Sequence, residues 1–71
     1  MTTTGTDWIR AFAEQLGVDA PDATTIDTLL DLAGVAAHAS ERLAAPLACW
    51  LVGRAGLAPD EALRLARATA P

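Results

Sequence analysis

The chain has 71 residues, a formal net charge of −4, a little over half of its residues hydrophobic and a fifth charged, which is the material of one small domain. A single cysteine, Cys49, and a single histidine, His38, exclude an intrachain disulfide and a zinc-finger type of metal site. The basic residues are all arginine, scattered at positions 10, 42, 54, 64 and 67, so no dense basic patch invites nucleic acid, and the acidic balance disfavours a DNA-binding helix-turn-helix.

Met1 to Thr6 is polar and uncharged, with no basic residue and no apolar run, so it does not read as a secretory signal and a cytoplasmic location is expected. Residues 1–5 are expected to be a flexible N-terminus and residues 6–71 a single helical domain. Thr6 reads as an N-cap with Asp7 in the first turn, and Trp8, Ile9, Phe12, Ala13 and Leu16 repeat at helical spacing up to Gly17. This first helix should bury Trp8 and Phe12.

Thr24 followed by Asp27 has the spacing of a capping box, which predicts a second helix from near Thr25 through His38 and Glu41 to about Leu43. Gly34 inside it would allow close approach of another helix at a cost of about 1 kcal/mol relative to alanine. Pro46 suits the first turn of a third helix that ends at Gly56. Leu43 to Gly53 carries no charge, yet it is only about half of the ~20 residues that a membrane span requires. Apolar nearly all round, helix 3 should be either central or part of a subunit interface. Pro59 opens a fourth helix, with Asp60 and Glu61 at its positive end and Arg64 and Arg67 toward its negative end. The fold class expected is all-α, a compact four-helix bundle-like orthogonal arrangement with a short disordered N-terminus.

Chemistry-bearing side chains are few. His38 is the one group that titrates near neutrality, but on a helix with Glu41 and Arg42 nearby it reads as a local pairing or packing residue. Cys49 in Leu47-Ala48-Cys49-Trp50-Leu51 reads as a small apolar residue, and a His38–Cys49 dyad would need a shared cleft and an orienting third group. No nucleotide-binding glycine loop, zinc-protease helix or Cys-x-x-Cys is present. Trp8 and Trp50 are expected to serve the core first. If Trp50 is exposed, its i, i+4 spacing to Arg54 makes the two a contact patch. His38, Arg42, Trp50 and Arg54 are therefore the candidate interaction residues, with no catalytic residue, metal or cofactor expected.

Leu29-Leu30-Asp31-Leu32-Ala33, Val35-Ala36-Ala37-His38, Ala44-Ala45-Pro46-Leu47 and Leu51-Val52-Gly53, together with Trp8 and the Leu16-Gly17-Val18 turn, resemble a small actinobacterial domain family of unknown function. That family is found alone or beside molybdopterin-guanine dinucleotide biosynthesis protein A, the guanylyltransferase that finishes the molybdenum cofactor. Its members tend to carry proline and threonine where this chain has Leu43 and Ala48-Cys49. The transferase is a nucleotide-binding α/β protein with a glycine-rich loop, so the resemblance implies an accessory part and not the transferase itself.

Sequence and resemblance together lead to a non-catalytic helical accessory or protein-interaction domain linked to molybdenum cofactor biosynthesis, with that transferase as the partner. The alternative is a small-ligand carrier or minor enzyme with an interhelical pocket using His38, Arg42 and Arg54. Neither nucleic acid nor membrane is an expected partner. A homodimer through helix 3 is expected, because a short alanine-rich bundle cannot enclose Leu47, Trp50, Leu51 and Val52 by itself.

Overall fold

The computed structural model describes residues 3–69. The described residues form four helices and no strand: α1 (Gly5–Leu16), α2 (Ala23–Ala39), α3 (Ala44–Ala55) and α4 (Pro59–Ala68). The fold is all-α and bundle-like. Of the N-terminal segment expected to be flexible, Met1 and Thr2 lie outside the described residues, and Gly5 already belongs to α1.

The caps explain where each helix begins and ends. Thr4, two residues earlier than expected, is the N-cap of α1, its Oγ1 accepting from the Asp7 N–H at 3.0 Å. A threonine caps at either place, but only Thr4 leaves Asp7 within the first turn as a donor to the cap. Gly17 closes α1 with φ 73°, and the Gly17 and Val18 N–H groups donate to the Glu14 and Ala13 carbonyls. This is the Schellman pattern, in which glycine alone takes the left-handed conformation without strain.

The expected capping box at Thr24 does not form. Asp22 caps α2 instead, its Oδ1 accepting from Thr25 N–H at 2.8 Å, while Thr28 Oγ1 turns back to the Thr24 carbonyl. A carboxylate is the better acceptor at a helix N-terminus. The far end of α2 also comes earlier than its apolar spacing implies, at Ala39. Ser40 leaves helical geometry with φ −142° and ψ −96°, and its hydroxyl donates to the Ala36 carbonyl at 2.9 Å. Pro46 gives the reason: a helix continuing through it would set its ring against the Arg42 carbonyl four residues back. The chain breaks at Ser40 and restarts at Ala44 with Pro46 in the first turn. Gly56, φ 70°, ends α3 as expected, and Pro59 opens α4. On α4 the Arg64 guanidinium grips the Glu61 carboxylate with two hydrogen bonds.

The central helix is α2, not α3. It packs against both α3 and α4 and contributes Leu32, the one large side chain that is fully enclosed, at 1% exposure. Among the described residues only Ala13 and Ala62 join it as buried residues. The α3 helix has no buried residue, and α1 packs on no other helix to an extent comparable with the α2 contacts. Gly34 does not mark a close crossing, because a Cβ built there would meet nothing within 4 Å.

The dimensions agree with this open packing. The radius of gyration is 12.8 Å, against about 11 Å for a tightly packed chain of this length. The longest dimension is 40 Å, whereas a 17-residue helix such as α2 measures only about 26 Å, so the four helices do not all lie side by side.

A candidate interaction surface on α3 and its groove

Most large apolar side chains of this chain face outward. Trp8 is 55% exposed, Trp50 65% and Leu47 58%, and Phe12, Leu16, Leu30, Leu43 and Leu51 are exposed as well. The expectation that Trp8 and Phe12 fill the core is overturned: they stack on each other along α1, ring centroids 5.1 Å apart, on the outside of the molecule. Trp50 likewise leaves the core for the surface. The physical reason is that α2 is clasped on two sides only, and alanine-rich α3 and α4 approach it through small side chains, leaving the large ones no interior to enter.

The residues singled out from sequence occupy two places. His38 and Arg42 stand at the end of α2 and in the turn after it, while Trp50 and Arg54 share one row of α3. All four are exposed. Among the described residues the side chains of His38, Arg42 and Arg54 make no hydrogen bond or ion pair, the two ion pairs being Arg10–Asp7 and Arg64–Glu61. The expected local pairing of His38 with Glu41 is therefore not formed. Cys49 is a half-buried free thiol, and no hydrogen bond joins it to His38. No group of three or more His, Cys, Asp or Glu residues is placed to hold a metal ion among the described residues.

Sequence reasoning did not foresee a groove of about 440 Å³ between the C-terminal half of α2, the first two turns of α3 and the end of α4. Val35, Leu43, Leu47 and Leu51 line it together with alanines, among them Ala39 and Ala48. A shallower depression continues past Ala48 and Leu51 toward Leu32, Leu57 and Leu65. The alanine spacing was the available signal: Ala36 with Ala39, and Ala44 with Ala48, repeat at helical intervals on two helices joined by a short turn.

The groove is apolar even where its lining residues are not. Its two hydroxyls are already engaged, Ser40 with the Ala36 carbonyl and Thr69 with the Leu65 carbonyl, each at 2.9 Å. Its lining contains none of His38, Arg42 and Arg54. With α3 advancing 100° per residue, Trp50 and Arg54 form the row just outside the Leu47 wall.

No helix among the described residues is long and apolar enough to cross a membrane. No curated protein and no solved structure matches the chain. A family model matches residues 2–71, nearly the whole length. The chain belongs to the family described as Domain of unknown function (DUF6457).

Proposed function

We propose that this chain is a non-catalytic helical interaction domain, acting in the cytoplasm, that self-associates as a homodimer and binds a protein partner through α3. One observation carries the reading: α3 has no buried residue although it bears Leu47, Trp50, Leu51 and Val52. An isolated soluble chain gains little from holding such a helix against water, and contiguous apolar surface of this kind is characteristic of contact surfaces. Trp50, 65% exposed beside Arg54, supplies with it two of the residue types enriched at the energetic centre of interfaces. His38 and Arg42, at the end of α2 and in the turn after it, are further exposed candidates for contact.

The partner we propose is the guanylyltransferase that completes the molybdenum cofactor, on the strength of the resemblance carried by the Val35-Ala36-Ala37-His38 and Ala44-Ala45-Pro46-Leu47 segments. Titration of the full chain with that transferase, followed by calorimetry, tests the assignment. Saturable binding that weakens on Trp50→Ala is expected. No binding up to about millimolar concentration, where the standard binding free energy has shrunk to roughly −4 kcal/mol, rejects this partner.

A further inference from the structure

Two parts of the molecule are unfinished, and each matches what the other lacks. On α1, Trp8, Ile9, Phe12 and Leu16 form an exposed apolar row on a helix that barely packs against the rest of the chain. Between α2, α3 and α4 lies an apolar groove open to solvent. We propose that α1 of one copy fills the α2–α3–α4 groove of a second copy, and reciprocally, so that each groove is completed by the other chain. This rests on the reading of the chain as a self-associating interaction domain and specifies how the two copies join.

Length and chemistry agree. From Trp8 to Leu16 the apolar row covers eight residue steps, about 12 Å along the helix, the same as from Leu43 to Leu51 along the groove wall. The small alanines of the lining leave room for bulky side chains to enter and let helices approach closely. With both of its hydroxyls engaged, the groove suits an apolar occupant.

The chain's own α1 is poorly placed to be that occupant. The caps at Gly17 and Asp22 hold Leu16 near the N-terminal end of α2. On α2 the groove begins only at Val35, thirteen residues and about 20 Å further on. Seating the whole row from Trp8 to Leu16 there would require the link from Gly17 to Asp22, about 18 Å at full extension, to run back along α2.

The surface area is also right. The chain exposes 5596 Å², whereas a folded monomer of its mass exposes about 4,200 Å². The excess is therefore about 1,400 Å² per chain. A specific, stable interface of ~1,200–2,000 Å² in total covers about 600–1,000 Å² on each copy, which lies within that excess.

Sedimentation equilibrium of the full-length chain and two variants is the test. Trp8→Glu places a charge on the α1 row, and Leu47→Glu places one on the groove wall. Wild type should be dimeric at micromolar concentration, and each variant should weaken the dimer by at least about 30-fold. Mixed in equal amounts, the two variants should re-associate, because the intact groove of one receives the intact α1 of the other. Circular dichroism verifies that each variant is folded, and Leu16→Glu replaces Trp8→Glu if that variant is not.

Three results overturn the proposal: a wild-type monomer, a dimer lost in Leu47→Glu but untouched by Trp8→Glu, or variants that do not re-associate on mixing. A monomer that still binds the transferase would reject this exchange and the homodimer while leaving partner binding standing, and a dimer that does not bind it would reject that partner and leave the exchange standing.

Discussion

Replacing Leu32 by alanine should damage this fold far more than replacing Leu30, two residues away on the same helix. Leu32 is 1% exposed at the place where α2 is clasped by α3 and α4, whereas Leu30 is 65% exposed. Truncating an enclosed leucine costs about 2.7–5 kcal/mol through lost transfer free energy and the cavity left behind. A chain of this length has roughly 4–10 kcal/mol of net stability, so Leu32→Ala should remove about half of it. Leu30→Ala gives up only the minor, already sheltered part of its side chain and should cost under about 1 kcal/mol. Urea denaturation followed by far-ultraviolet circular dichroism separates the two. With a slope of about 1 kcal/mol per molar for so small a domain, the Leu32 midpoint should fall by roughly 3 M, or the transition should vanish. The drop should be the same at two protein concentrations, since Leu32 acts within one chain. Equal losses in the two variants would refute the assignment of α2 as the enclosed helix.

Gly34→Ala should stabilise the chain by about 0.5–1 kcal/mol, because the new methyl meets nothing within 4 Å and the helical backbone suits alanine. Gly17→Ala should do the opposite, since φ 73° strains any Cβ; thermal melts of both variants check the contrast, and a common sign would contradict it. Acid should loosen the helix starts. The Thr25 amide holds the Asp22 carboxyl below its ordinary 3.8, and the Arg64 guanidinium holds that of Glu61 below its ordinary 4.5. Their contribution is complete above those ordinary values and is lost as the pH falls through the lowered folded-state values, so melting temperature should hold level down to about pH 5 and decline below about pH 4. Asp22→Asn, which still caps but cannot titrate, should flatten that acid limb, and an unchanged limb would remove Asp22 from the account.

Four helices, the endings at Gly17 and Gly56 and the openings at Pro46 and Pro59 were legible in the sequence, because glycine and proline act on the backbone through local sterics that need no partner. The N-caps were less so. Thr4 competes with Thr6, and Asp22 with Thr24, because several capping residues stand close together and the choice among them depends on which hydrogen bond the first turn completes. The exposure of Trp8, Phe12 and Trp50 was not legible at all. Their spacing marks one apolar face on each helix, but a hydrophobic period is the same whether the face meets its own chain or another surface. Tertiary packing alone determined that α2 would be the helix clasped from two sides. With that place taken, the small side chains of α3 and α4 could close the contact, and the large ones, having no interior of their own size, were left at the surface with an apolar groove between them.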